Sequence, residues 1–207
     1  LMYYHVWDNY PYPTYNRKHY LSNDVIATIS KVTEDIVKTV APEVECHYIP
    51  HAVDEDVFKP LPEEENEKNR KILFKENPDK FVFFWNSRNA RRKQSGSLLF
   101  WFKDFLDEVG HDKAALIMHT DTKDPHGQDL NAIIDHLGMN KGQVLFSTNK
   151  IQNSELAKYY SLADCSLMVS DAEGFGLSAL ESLSCGTPII ATMTGGLQEQ
   201  VYDGETY

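Results

Sequence analysis

The chain is expected to form an α/β fold, a Rossmann-like doubly wound parallel sheet, and three observations carry that expectation. Short apolar runs alternate with longer stretches of helical periodicity along most of the 207 residues. That is the pattern of parallel strands joined by crossover helices and covered on both faces. The segment VSDAEGFGLSALESLSCGTPIIAT, residues 169–192, reads as strand, turn, helix, strand. A basic loop, NSRNARRKQSG over 86–96, follows another apolar run and leads into an amphipathic helix. In such a sheet ligands bind at the carboxyl ends of the strands, where both loops fall.

Taken in order, the aromatic segment 3–16 places His5 at a strand end beside Trp7 and Asp8. DVIATIS, 24–30, reads as a strand, 31–40 as a helix with Val32, Ile36, Val37 and Val40 inward, and 46–50 as a further strand. Pro50, Pro60 and Pro62 with the charge run 63–68 then break the apolar pattern and launch a helix toward Phe74. This linker divides the chain into a first domain, 1–58, and a second, 59–207. The second domain is expected to hold strands at 81–85, 114–119, 144–147, 165–170 and 188–192, with helices at 97–109, 128–137 and 154–163. Leu98, Trp101, Phe102, Phe105 and Leu106 form the predicted buried stripe of the first of these helices. In the helix after the glycine turn, Leu177, Leu180 and Leu183 face the core and Ser178 and Glu181 share another face.

The turn itself suits an anion. Gly174 and Gly176 permit a tight bend and close approach of a ligand to backbone, and the helix start offers unpaired N–H groups with a favourable dipole. A diphosphate is expected over Gly176, Leu177 and Ser178. Glu173 before the turn and Glu181 on the helix would then address opposite ends of one bound molecule. Plainer readings exist, a dipole-favoured acid for Glu173 and a solvated helix surface for Glu181. Gly174-Phe-Gly-Leu-Ser-Ala179 also fits the dinucleotide fingerprint G-x-G-x-x-A, with Glu199 some 20 residues on. Position argues against it, because the second strand closes at Thr192 and Glu199 comes later, beyond Gly195-Gly196.

Arg88, Arg91, Arg92 and Lys93 form a basic island in a chain of formal net charge −11. Guanidinium forks and a lysine point charge suit a polyphosphate, although a solvated charged loop has the same composition.

These residues resemble the donor site of the retaining GT-B glycosyltransferases of family 4, the group 1 glycosyl transferases. That family carries two glutamates separated by seven residues with a Gly-Phe-Gly turn after the first, and the CGTPIIAT and TGG elements downstream coincide as well. The resemblance implies that Glu173 contacts donor-sugar hydroxyls, that Glu181 binds the nucleotide ribose, and that backbone around Gly174–Ser178 meets sugar and diphosphate. It assigns Arg88 and Lys93 to the diphosphate, with Trp85-Asn86-Ser87 standing where a glycine is common. IPHAVD, 49–54, resembles the interdomain segment, and His5 loosely matches a cleft histidine with a catalytic role. Asp8 would orient the acceptor, and Tyr4, Trp7, Tyr10, Tyr12 and Tyr15 offer either a sugar-stacking platform or hinge packing.

The implied activity is metal-independent transfer of a hexose from a UDP- or GDP-linked sugar, a co-substrate rather than a cofactor, to a glycan, lipid-linked or small-molecule hydroxyl. A non-catalytic nucleotide-sugar-binding module and a dinucleotide-dependent enzyme are the alternatives. A glycoside hydrolase would need two carboxylates but leaves the turn and the basic loop without purpose. A two-domain enzyme of this architecture needs about 350 to 400 residues, at ~100 to 200 per domain, so an incomplete GT-B fold is expected, with VYDGETY at 201–207 resembling a segment that continues.

Composition sets further limits. The acidic balance argues against nucleic-acid partners. Cys46, Cys165 and Cys185 make no disulfide frame, and no CxxC or His-x-x-His cluster suggests a metal. No apolar run reaches the ~18 to 20 residues of a membrane span. Cytosol is the expected location, with peripheral contact at the inner face of a membrane if the acceptor is a lipid.

Overall fold

A computed structural model describes residues 1–75 and 77–201; Glu76 and 202–207, which include most of the VYDGETY segment, lie outside the described residues. The chain divides into two compact units. One comprises Leu1–Ala52, Ser170–Leu177 and the described residues from Ala191 onward; the other comprises Val53–Val169 and Ser178–Ile190.

In the first unit, β1 (Met2–His5), β2 (Val25–Thr28) and β3 (Glu45–Tyr48) form a parallel sheet in the order β1-β2-β3, with His5 opposite Thr28 and Thr28 opposite Tyr48. Helix α1 (Arg17–Leu21) precedes β2, and α2 (Lys31–Val40) joins β2 to β3. The expected strand 24–30 ends early because Ser30 is the N-cap of α2, its hydroxyl accepting the Thr33 N–H at 3.1 Å. Such a cap contributes about 1 kcal/mol. Tyr20, Ile26, Ile36, Val37, Val40 and Ala41 form the core of this unit.

The second unit opens with α3 (Glu63–Leu73) and is built on β4 (Phe81–Asn86), β5 (Ala114–His119), β6 (Val144–Ser147), β7 (Cys165–Met168) and β8 (Ile189–Ala191). Its order is β6-β5-β4-β7-β8, and the described β4–β5, β5–β6 and β4–β7 pairings are parallel. The chain starts this sheet in the middle, builds outward through β5 and β6, then returns to the other side of β4. The loops after β4 and β7 therefore leave adjacent strands at the same edge, the topological switch point of an open α/β sheet.

Alternating side chains of β4 serve two cores. Phe83 and Trp85 pack with α4 (Ser95–Val109) and α5 (Leu130–Leu137); Val82 and Phe84 pack with α6 (Asn153–Leu162). Each large side chain so buried contributes about 1.5–3 kcal/mol. The predicted stripe of α4 is half right. Leu98, Phe102 and Leu106 are buried, and Leu99 joins them, whereas Trp101 is 54% exposed and Phe105 lies at the rim. One sheet face covers one flank of the helix, and Trp101 falls outside it.

All three cysteines are free thiols, and no helix among the described residues is long and apolar enough to cross a membrane.

Candidate functional site

Helix α7 (Leu177–Ser184) starts directly after Gly176, whose φ of +87° only glycine adopts without strain. The inward face differs from the expected leucine stripe. Ala179 and Ser182 are buried, while Leu177 and Leu183 are exposed. Small side chains let the helix lie close to the sheet, with Ser182 Oγ 2.8 Å from Ser166 Oγ on β7, and this close packing sets the face. Glu181 is consequently half-buried instead of solvated.

One carboxylate oxygen of Glu181, Oε2, accepts the hydroxyl of Tyr160 on α6 at 2.6 Å. Tyr160 in turn accepts Asn86 Nδ2, from the last residue of β4, at 2.9 Å. Burial pushes the Glu181 carboxyl above its ordinary range, opposed by the hydrogen bond from Tyr160. Burial and the Glu181 charge push the Tyr160 phenol up strongly.

The loop after β4 is held by a second set of contacts. Arg88 forks onto Asp124, with Nε to Oδ2 at 2.6 Å and Nη2 to Oδ1 at 3.2 Å. The arginine side chain is 62% exposed and the aspartate 10%. Asp124 is held below the usual carboxylate range, chiefly by that bond and then by the His126 N–H. Arg91–Lys93 form a single 3-10 turn closed by Gln94 in the left-handed region at φ 54°. Lys93 is only 8% exposed, so the basic island is not uniformly solvated.

Beneath it, Asn89 is fully buried. Its Nδ2 donates to the Gln128 carbonyl at 2.7 Å, and its Oδ1 accepts Ser95 Oγ at 2.7 Å. Gln128 Oε1 accepts the Gly96 N–H at 2.9 Å. A Cβ on Gly127 would collide with Asn89, so this knot between the loops after β4 and β5 requires glycine there.

Ser178, half-buried, begins the second unit's part of α7, and the remaining expected site residues belong to the first unit. The Glu173 carbonyl accepts the Gly196 N–H at 2.9 Å, and a Cβ on Gly196 would meet the Gly174 oxygen at 2.5 Å. The TGG element thus fixes the backbone of the Glu173 turn. Phe175 is buried, its ring edge-on to His51 at 5.2 Å, and its carbonyl accepts Gln200 Nε2.

His5 is 3% exposed, with Nε2 2.8 Å from the Tyr20 hydroxyl and Nδ1 3.2 Å from that of Tyr3. Burial, aided by His19, pushes it down to about 4. Both ring nitrogens therefore have protein partners. Trp7 and Tyr15 meet edge-on at 6.1 Å, as do Tyr10 and Tyr12 at 6.3 Å, with Tyr10 and Tyr15 largely exposed.

Glu199, on α8 (Leu197–Val201), accepts the Lys31 N–H at the start of α2 at 2.5 Å. The acid that a dinucleotide fingerprint would give to a ribose is engaged as a helix cap. Tyr160, Asn86, Asp124 and Asn89 were not singled out by sequence as site partners, because each acts through a residue distant in the chain.

The chain is similar to proteins already known. D-inositol 3-phosphate glycosyltransferase of Arthrobacter sp. (strain FB24) is 41% identical over 78 residues, 38% of this chain and 18% of that protein. A GDP-mannose-dependent alpha-(1-6)-phosphatidylinositol monomannoside mannosyltransferase of Mycolicibacterium smegmatis is 27% identical over 191 residues, 88% of this chain and 48% of that protein.

The fold is similar to sucrose-phosphate synthase of Thermosynechococcus elongatus, with TM-score 0.74 and 23% identity over 92% of this chain and 46% of that one. It is similar also to HepE of Anabaena in complex with UDP, with TM-score 0.78 and 18% identity over 99% of this chain and 56% of that one. The chain spans about half the length of these relatives, or less. Residues 65–207, well over half of the chain and including the basic loop, Glu173 and Glu181, match the glycosyl transferases group 1 family as a whole. That match covers most of the second unit and the loops that leave its sheet, and the chain belongs to the group 1 glycosyl transferases.

Proposed function

We propose that the chain contributes the donor side of a retaining, metal-independent glycosyltransferase that moves a hexose from a nucleotide-diphosphate sugar to an acceptor hydroxyl. The observation that carries this reading is the half-buried Glu181 carboxylate, presented at the edge of the sheet with one oxygen anchored by Tyr160. A carboxylate so held suits the two hydroxyls of a ribose. Arg88 and Lys93 take the diphosphate. When the bond between the anomeric carbon and the leaving phosphate oxygen breaks, negative charge builds on the diphosphate, and these cations with the start of α7 stabilise it. The acceptor oxygen bonds to the anomeric carbon from the same face and its proton passes to the departing phosphate. Glu173 orients the sugar.

His5, with both nitrogens engaged by tyrosines, is assigned a supporting role in the first unit instead of a proton transfer. The relatives bracket the donor without fixing it, one being named for GDP-mannose and a structural neighbour holding UDP. A lipid-linked acceptor fits the name of the first of these, a phosphatidylinositol monomannoside mannosyltransferase, and would bring the protein to a membrane face.

Calorimetric titration with UDP, GDP, ADP and their sugar conjugates in the presence of a chelator tests the proposal. The expected result is binding of one nucleotide, unchanged by the chelator and lost in Glu181→Ala. Absence of binding by a chain shown to be folded by circular dichroism would overturn it. Release of the nucleoside diphosphate in step with a glycosylated product separates a transferase from a binding module.

A further inference from the structure

Three elements of the second unit converge on one carboxylate, and the hydrogen-bond direction along them is fixed. Asn86 Nδ2 can only donate, and it donates to the Tyr160 oxygen at 2.9 Å. The single proton of Tyr160 is thereby directed at Glu181 Oε2, 2.6 Å away, a separation typical of a hydroxyl on an ionised carboxylate.

The tyrosine cannot swing aside. Its side chain is fully buried, with the Phe84 ring edge-on at 5.0 Å and Phe58 at 6.3 Å, and its carbonyl accepts the Thr187 hydroxyl at 2.7 Å. From this geometry we propose that Tyr160 and Asn86 are positioning residues that select which oxygen of Glu181 is presented to the ligand and hold that carboxylate in its acceptor form. The inference rests on the donor-site reading above and adds to it a control on the ribose acid.

The reason such a control is needed is electrostatic. Half-burial favours the protonated carboxyl, which would present a donor where ribose hydroxyls require an acceptor. The Tyr160 bond opposes that tendency by stabilising the ionised form. The titratable groups coupled to Glu181 among the described residues are Tyr160 from α6, which stabilises its ionised form, and Cys185 just past the end of α7, whose thiol the Glu181 charge helps to push up, while β4 supplies the neutral Asn86. Anchoring Oε2 leaves Oε1 outside the relay and available to a ligand. Because Asn86 closes β4 two residues before Arg88, the basic loop and the ribose acid hang from the same strand end.

The test is a titration with UDP and GDP between about pH 5 and 8.5 of the wild-type chain and its Tyr160→Phe, Asn86→Ala, Asn86→Asp, Glu181→Gln and Tyr160→Phe/Glu181→Gln variants, each checked by thermal melting. Tyr160→Phe keeps the ring packed and is expected to weaken binding about tenfold at neutral pH and to move the acidic limb of the profile to higher pH. Asn86→Ala should weaken it severalfold. Asn86→Asp should weaken it more, since a carboxylate there draws the tyrosine proton away from Glu181. In the Glu181→Gln background the Tyr160→Phe change should cost nothing further.

A Tyr160→Phe profile that overlays the wild type, or an equal loss in both backgrounds, overturns the relay while leaving the donor site standing. A Glu181→Gln chain that binds as the wild type does overturns both. If Tyr160→Phe fails to fold, the contrast between the two Asn86 variants decides, and equal effects from them overturn the relay.

Discussion

Arg88 and Glu181 carry two of the charges that the proposed ligand would meet in the second unit, and they are held in opposite ways. Arg88 is largely exposed and forks onto another ionised group, Asp124. Glu181 is half-buried and leans on a neutral hydroxyl. An ion pair whose arginine stands in solvent contributes little and is screened by salt. A buried hydrogen bond to a carboxylate contributes about 1.5–3 kcal/mol. The first contact is thus readily exchanged for a phosphate, whereas the second is part of the framework and stays in place. The bond to Asp124 raises the Arg88 guanidinium further above its already high range, and burial raises Glu181 toward neutrality. Salt sensitivity therefore belongs to the loop after β4 and acid sensitivity to α7.

The largest expected break in this contrast is Glu181→Ala, which should lower nucleotide affinity about 30- to 100-fold at neutral pH, with little dependence on ionic strength. Arg88→Ala should lower it about tenfold in dilute buffer, and the deficit should shrink toward 0.5 M salt as screening removes what the cation supplied. Titrations at two salt concentrations check both; equal salt dependence would erase the distinction. Asp124→Asn sharpens it with the opposite sign. Removing a carboxylate that competes for the guanidinium should tighten binding by about two- to fivefold at low salt, and a weakening would mean that Asp124 orients Arg88 more than it competes with ligand.

The last effect is on stability, in the first unit. His5 is held neutral, its folded value pushed down to about 4 from 6.5, so the stability it contributes is present above about pH 6.5 and is lost as pH falls toward 4. His5→Gln should flatten that part of the melting-temperature profile; an unchanged slope would show that other groups set it.

What sequence conveys and what it withholds can be read from the same residues. Helix 31–40 and strands 114–119 and 144–147 coincide with α2, β5 and β6, because their periodicity is local and strong. The leucines of α7 misled for the converse reason. Three-residue spacing marks one helix face without saying whether the sheet meets that face or the small one carrying Ala179 and Ser182. Both acids of the turn and the basic loop were legible, since glycine spacing and charge clustering are local signals. Their supports were not. Tyr160 stands 21 residues from Glu181 and 74 from Asn86, and Asp124 stands 36 from Arg88, separations at which no sequence spacing announces a bond.

Glu199 offers a last consequence, for anyone trimming or fusing this chain. Helix α8 is five residues long, too short to persist by itself, and its acid closes the start of α2 from 168 positions away. Cutting the polypeptide before Leu197 would remove the partner of the Lys31 N–H and leave Ser30 as the cap identified at that helix start. The damage would register as fraying near residue 31, and proteolysis or hydrogen exchange there would report on an edit made far along the sequence.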